Sequence, residues 1–275
     1  MPVSELKSRQ LSLAKLLDET GFEGALLHNP VDLYYFCGGR QDAAMFIPAL
    51  SKDTTPTQFV RRSVKRAKFE AGGSDAIHNV VKFPRLSEFS DTIKSFGIKQ
   101  TPLMQLSSIP YSFASKFGSL FSDFNGELQD CNALVHKLRE SKSKWEIEQM
   151  KIAADIQLQM FESIAALGGE GITELELVAT AEAVSRAAGF GGDISMRRYP
   201  MQCNRGVVVA GRNGGIPSFF DAAIGGTGAY PGSGMGSGFG KVKSGEPVLV
   251  DLLHAHRGYI VDMTRMFVVG KLSKE

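Results

Sequence analysis

Apolar and polar positions set the rhythm of the chain. Leu6, Leu13, Leu16 and Leu17 recur at helical spacing, with Ser4 ahead of them as a helix-capping residue type and Gly21 behind them as a stop. Gly24 to His28 is then short and apolar enough for a buried strand, Asn29-Pro30 starts a turn, and Val31 to Phe36 leads to Cys37-Gly38-Gly39. Ala43 to Leu50 and Thr57 to Val60 read as strands, Val80 to Phe83 as another, and Leu86 to Phe96 as a helix stopped by Gly97. The basic run Arg61 to Lys68 keeps Val60, Val64 and Ala67 on one side at helical spacing, which favours a solvated helix face over a patch for an anionic partner. Strands alternating with helices predict an α/β N-terminal domain.

The rhythm lengthens after Ser141. Ser143-Lys-Trp-Glu146 fits a capping box, and Ile147, Met150, Ala154, Leu158 and Phe161 recur at three and four, so a long amphipathic helix should run to about Leu167 before Gly168-Gly169. Thr173-Glu-Leu-Glu176 fits a second capping box, opening a helix that ends at Gly189. A strand is expected within Tyr199 to Ala210. The stretch from Gly211 to Gly240 holds eleven glycines but neither G-x-x-x-x-G-K-S/T nor a clean G-x-G-x-x-G between strand and helix, so it reads as a long active-site loop rather than a nucleotide cradle. Two domains follow, 1–135 and 136–275.

Near the C-terminus, Val248 to Leu253 and Tyr259 to Val269 read as strands joined through Ala255-His256-Arg257-Gly258. A turn centred between His256 and Arg257 sets Asp251 opposite Asp262, both within apolar runs expected to be buried. Two buried carboxylates in that position repel, so either one is protonated or a cation lies between them; hard divalent metals take such oxygens. A slipped register that puts one acid in solvent, or an Asp capping a turn, remains the alternative.

Composition narrows the class. At 43% hydrophobic residues the chain can build full cores, and a net charge of +2 gives no general electrostatic case for nucleic acid. Cys37, Cys131 and Cys203 are far apart and odd in number, which fits a reducing compartment. The polar N-terminus does not read as a signal peptide, and no apolar run reaches the roughly 18 residues of a membrane span, so a cytoplasmic protein with no membrane partner is expected. His28, His78 and His136 stand alone and read as packing or surface residues.

The segment Val-Asp251-Leu…Gly-Tyr259-Ile-Val-Asp262-Met-Thr264-Arg265 resembles the first metal-binding segment of the creatinase, prolidase and aminopeptidase P superfamily, which shares the pita-bread catalytic fold. The resemblance extends to Lys-Leu-Arg-Glu-Ser-Lys-Ser-Lys-Trp145-Glu, which opens that fold, to Gly-Ile-Thr173-Glu-Leu-Glu, and to Asn29-Pro-Val-Asp-Leu-Tyr-Tyr-Phe-Cys-Gly of the creatinase/prolidase N-terminal domain. It implies an α/β N-terminal domain followed by an incomplete α+β pita-bread domain. It further implies a site with two divalent metal ions (Mn, Zn or Co), with Asp251 and Asp262 as ligands and Thr264 and Arg265 supporting them. Arg212, Asp221 and Tyr259 are candidates for the substrate loop. The implied activity is hydrolysis of a peptide or small amide, with a proline-containing substrate, by a metal-activated water. The implied assembly is a homodimer.

Two departures qualify that expectation. Ser218, Phe219 and Phe220 stand where the peptidases place a substrate-contacting His. The family's remaining ligands, one His and two Glu, lie downstream of this segment, and the sequence stops at Glu275; His254 and His256 are poor replacements, since His254 should point to the face opposite Asp251. The expectation is therefore an N-terminal portion of a longer protein, inactive and poorly soluble or dimeric by itself. A non-catalytic pita-bread binding protein or pseudoenzyme, or a related non-peptidase hydrolase or lyase, is the alternative.

Overall fold

A computed structural model of the chain describes residues 1–192, 194–197, 202–203, 206–219 and 224–272. It divides into two compact units, Met1–Ser141 and Lys142–Glu275.

In the first unit the order is α1 (Val3–Thr20), β1 (Gly24–Leu27), α2 (Pro30–Cys37), β2 (Ala43–Pro48), β3 (Thr57–Val60), α3 (Val64–Glu70), β4 (Asn79–Lys82), α4 (Leu86–Lys94), β5 (Leu103–Met104), α5 (Tyr111–Gly118) and α6 (Asn132–Glu140). The strands form one mixed sheet in the order β4-β3-β2-β1-β5. Each residue of β1 and β2 is buried, because both faces are covered. Alternate side chains serve different cores: Ala25, Leu27, Met45 and Ile47 join Leu13, Leu17 and Phe36, whereas Leu26, Ala44 and Phe46 join a phenylalanine cluster around Phe59, Phe89 and Phe117.

Several local expectations shift. Helix α1 starts at Val3 with Pro2 as its cap, so Ser4 lies inside the first turn; Gly21 ends it at φ 77°. Residues Val31 to Phe36 are helical because the Asn29 side chain accepts from Val31 N–H and Pro30 pre-sets the first turn. The basic run becomes helical only from Val64, with Ala67 buried. The first compact unit runs through α6 to Ser141 rather than stopping at residue 135, because Leu138 on that helix also packs against the first core.

The second unit contains α7 (Lys144–Leu167), α8 (Glu174–Ala187), β6 (Ile194–Ser195), β7 (Gln202–Cys203), β8 (Gly206–Ala210), β9 (Pro247–His256) and β10 (Tyr259–Val268). Both expected capping boxes form, at Ser143 with Glu146 and at Thr173 with Glu176. The antiparallel sheet β10-β9-β8 lays one face on the helices: Val208, Ala210, Val248, Val250 and Leu252 pack with Met160, Phe161, Ile164, Leu177 and Val178. On the other face Ile260 and Met266 of β10 are exposed, Met266 to 61%.

Candidate active site

The β9–β10 hairpin turns on Arg257 and Gly258, both in the left-handed region at φ 49° and 84°. Two positive φ values are what a tight two-residue hairpin turn of right-handed strands requires. This moves the turn centre one residue beyond the expected one, so Asp251 faces Thr264 and Asp262 faces Leu253. The direct pairing of Asp251 with Asp262 is thus corrected. The acids are diagonal neighbours, and because the correction preserves strand parity they still share a face. Their expected burial is corrected too: Asp251 is half-buried and Asp262 exposed.

The pair remains coupled. The Thr264 hydroxyl donates to Asp251 Oδ1 at 2.5 Å. The Asp262 carboxyl is held above the usual Asp range by partial desolvation, then by the charge of Asp251 and a hydrogen bond with its carboxyl, with Met263 N–H opposing. The charge of one carboxylate thus disfavours ionisation of the other, and a divalent cation would serve both. The donor chemistry fits a hard metal. Among the described residues these acids do not gather a group of three or more His, Cys, Asp or Glu side chains.

The other candidates scatter. Arg265 lies on the helix-facing side, with its guanidinium 5.8 Å from the Phe161 ring centre and donating to the Thr264 carbonyl. Tyr259 is on that same side, where its hydroxyl donates to Glu146 at 3.1 Å and its ring meets Trp145 edge-on. Neither is brought to the acids. Arg212 is exposed on the 3-10 turn Gly211–Gly215, and Asp221 lies outside the described residues. His254 is fully buried opposite the acid face, its Nδ1 2.8 Å from Ser185 Oγ, and burial followed by the charge of His256 holds it below the usual His range. Its placement matches strand alternation.

The glycine-rich segment covers the acid side of β8. Val207 is the cross-strand partner of Asp251, and Val207 and Val209 are buried on the side that β10 leaves open. Gly226, at φ 104°, and Gly236, at φ 82°, lie so close that an added Cβ would meet Val209 at 2.9 Å and Val207 at 3.1 Å, respectively. The glycines therefore let backbone lie flat on the strand beside Asp251.

Sequence reasoning missed Glu174. It is fully buried at the first turn of α8 and accepts from Ala210 N–H at 2.7 Å, Asn213 Nδ2 at 2.7 Å and Gly238 N–H at 2.8 Å. A Glu beside a capping box reads as a solvated first-turn acid, and no local signal marked it as buried.

The sequence pattern of the Creatinase/Prolidase N-terminal domain matches residues 9–141, and that of Metallopeptidase family M24 matches residues 148–275. The chain belongs to the creatinase/prolidase family. Its architecture is the N-terminal domain of that family followed by pita-bread structure. Among the relatives of this family member is an uncharacterized peptidase, YqhT, of Bacillus subtilis (strain 168), 26% identical over 96% of this chain and 65% of the relative. Another is the Xaa-Pro dipeptidase of Pyrococcus furiosus, 25% identical over 96% of this chain and 66% of the relative. Solved structures with this fold include an Xaa-Pro dipeptidase from Bacillus anthracis, with TM-score 0.76, 21% identity and coverage of 98% of this chain and 66% of that one. An X-Pro aminopeptidase from Thermotoga maritima has TM-score 0.70 and 20% identity over 95% of this chain and 65% of that one. The family member described here thus spans about two thirds of the length of these relatives. Among its described residues no helix is long and apolar enough to cross a membrane.

Proposed function

We propose that this family member acts in metal-dependent hydrolysis of a peptide amide bond, with an Xaa-Pro peptide as substrate. One observation carries the reading: Asp251 and Asp262 share one sheet face, coupled by a hydrogen bond, within the segment that matches the metallopeptidase pattern. Asp251 and Asp262 would be ligands to two divalent metal ions, with Mn, Zn or Co as candidates, which when bound would supply a Lewis acid and an activated water. Thr264 fixes the rotamer of Asp251 by donating to it. The flattened glycine segment on Val207 limits the space beside Asp251 and serves as one wall for substrate.

The test is hydrolysis of proline-containing dipeptides by the full-length protein with Mn2+, Zn2+ or Co2+, alongside calorimetric metal titration. Metal-dependent turnover that Asp251→Asn and Asp262→Asn each abolish, with loss of metal affinity, supports the reading. Unchanged metal affinity in both variants sinks it. Ser218 and Phe219, at the position where the resemblance expects a substrate-contacting His, favour a second reading as a peptide-binding protein. Tight peptide binding without metal or turnover would select that one.

A further inference from the structure

The buried carboxylate of Glu174 has a role that helix capping does not explain. Capping of α8 is already done by Thr173, whose hydroxyl accepts from Glu176 N–H. Glu174 instead accepts from Ala210 and Asn213 before and at the start of the glycine-rich segment, and from Gly238 near its end. Its own N–H donates to the Gly240 carbonyl at 2.9 Å, so one residue draws both ends of the segment together. Asn213 extends the tether, since its Oδ1 accepts from Thr227 N–H at 3.1 Å. A fully buried carboxylate is tolerated only when such donors satisfy it.

We propose that Glu174 is the positioning residue for the substrate wall: through Ala210, Asn213 and Gly238 it holds the glycine-rich segment flat against β8 beside Asp251, and so sets how peptide is seated. This rests on the hydrolase reading. Glu174 touches neither Asp251 nor Asp262 in the structure's hydrogen-bond network, and acts through backbone that packs on Val207, the partner of Asp251.

The experiment uses Glu174→Gln and Asn213→Ala in the full-length protein, the second a milder cut that leaves the two backbone donors on Glu174. In Glu174→Gln, hydrogen exchange at Ala210, Thr227 and Gly238 should quicken about tenfold while α7 is unchanged. In the Mn2+-loaded protein, KM for a proline-containing dipeptide should rise about tenfold with kcat within about threefold, and Mn2+ affinity should stay within about twofold. Asn213→Ala should shift KM the same way by less. Unchanged exchange would overturn the tether. Loosened amides with an unchanged KM, or an equal fall in kcat and Mn2+ affinity, would overturn positioning. A wild-type protein that neither hydrolyses nor binds the dipeptide removes the hydrolase reading and the positioning role with it. The exchange result still reports separately on the tether.

Discussion

Replacing Asp262 by Asn should move stability in opposite directions with and without metal. In metal-free protein the ionised pair repels across a diagonal of the β9–β10 ladder, and Asp262 is exposed enough for solvent to screen much of that repulsion. Cross-strand pairs contribute roughly 0.2–1 kcal/mol, and the exposed end of that range gives about 0.5 kcal/mol gained by Asp262→Asn at pH 7. The unfolding midpoint should rise by roughly 2 °C. The sign with pH follows from the upward shift of the Asp262 carboxyl. Its ionised form is the one disfavoured in the fold. The penalty is therefore absent below the ordinary Asp value of about 3.9 and complete above the raised folded value. The advantage of Asn should accordingly vanish near about pH 3 and be full at neutral pH. Metal reverses the order. Mn2+ at about 100 times its dissociation constant adds about 2.7 kcal/mol to the wild type, whereas a variant bound about a hundredfold more weakly gains only about 0.4 kcal/mol. Thermal melts in chelator and in Mn2+, at pH 3 and pH 7, measure all four states. Equal Mn2+ shifts in the two proteins, or a variant less stable than wild type in chelator at pH 7, would refute the reasoning.

Thr264→Val keeps the strand's shape but removes the donor to Asp251; Mn2+ affinity by calorimetry should fall about tenfold. Arg257→Asn places a residue tolerant of positive φ at a turn position with φ 49°, and urea unfolding should show a gain of about 0.5 kcal/mol. Gln105→Leu should destabilise the first unit by about 3 kcal/mol, because fully buried Gln105 accepts from His28 and Asn29 N–H and donates to Asp32. Far-UV circular dichroism reads that loss, since the single tryptophan, Trp145, lies in the second unit.

Local chemistry determined much of this protein without tertiary help. Capping boxes at Ser143 and Thr173 form as read because a Ser or Thr with Glu three residues on satisfies the first helical N–H groups from within the segment. Gly21 and Gly97 sit at positive φ because both follow a helix whose last turn needs a left-handed residue. Strand alternation placed Asp251 and Asp262 on one face and His254 on the other, and the motif around them pointed to the family. Register was a tertiary matter. Ala255 to Gly258 contains several possible turn centres, and the choice of Arg257-Gly258 made Thr264, rather than Asp262, the partner of Asp251. Parity carries no information about burial either, so the acids' exposure depended on what packs over each face. Glu174 was invisible for the same reason: its partners at Ala210, Asn213 and Gly238 are 36 to 64 residues away, and a carboxylate becomes a buried tether only when distant backbone donors converge on it.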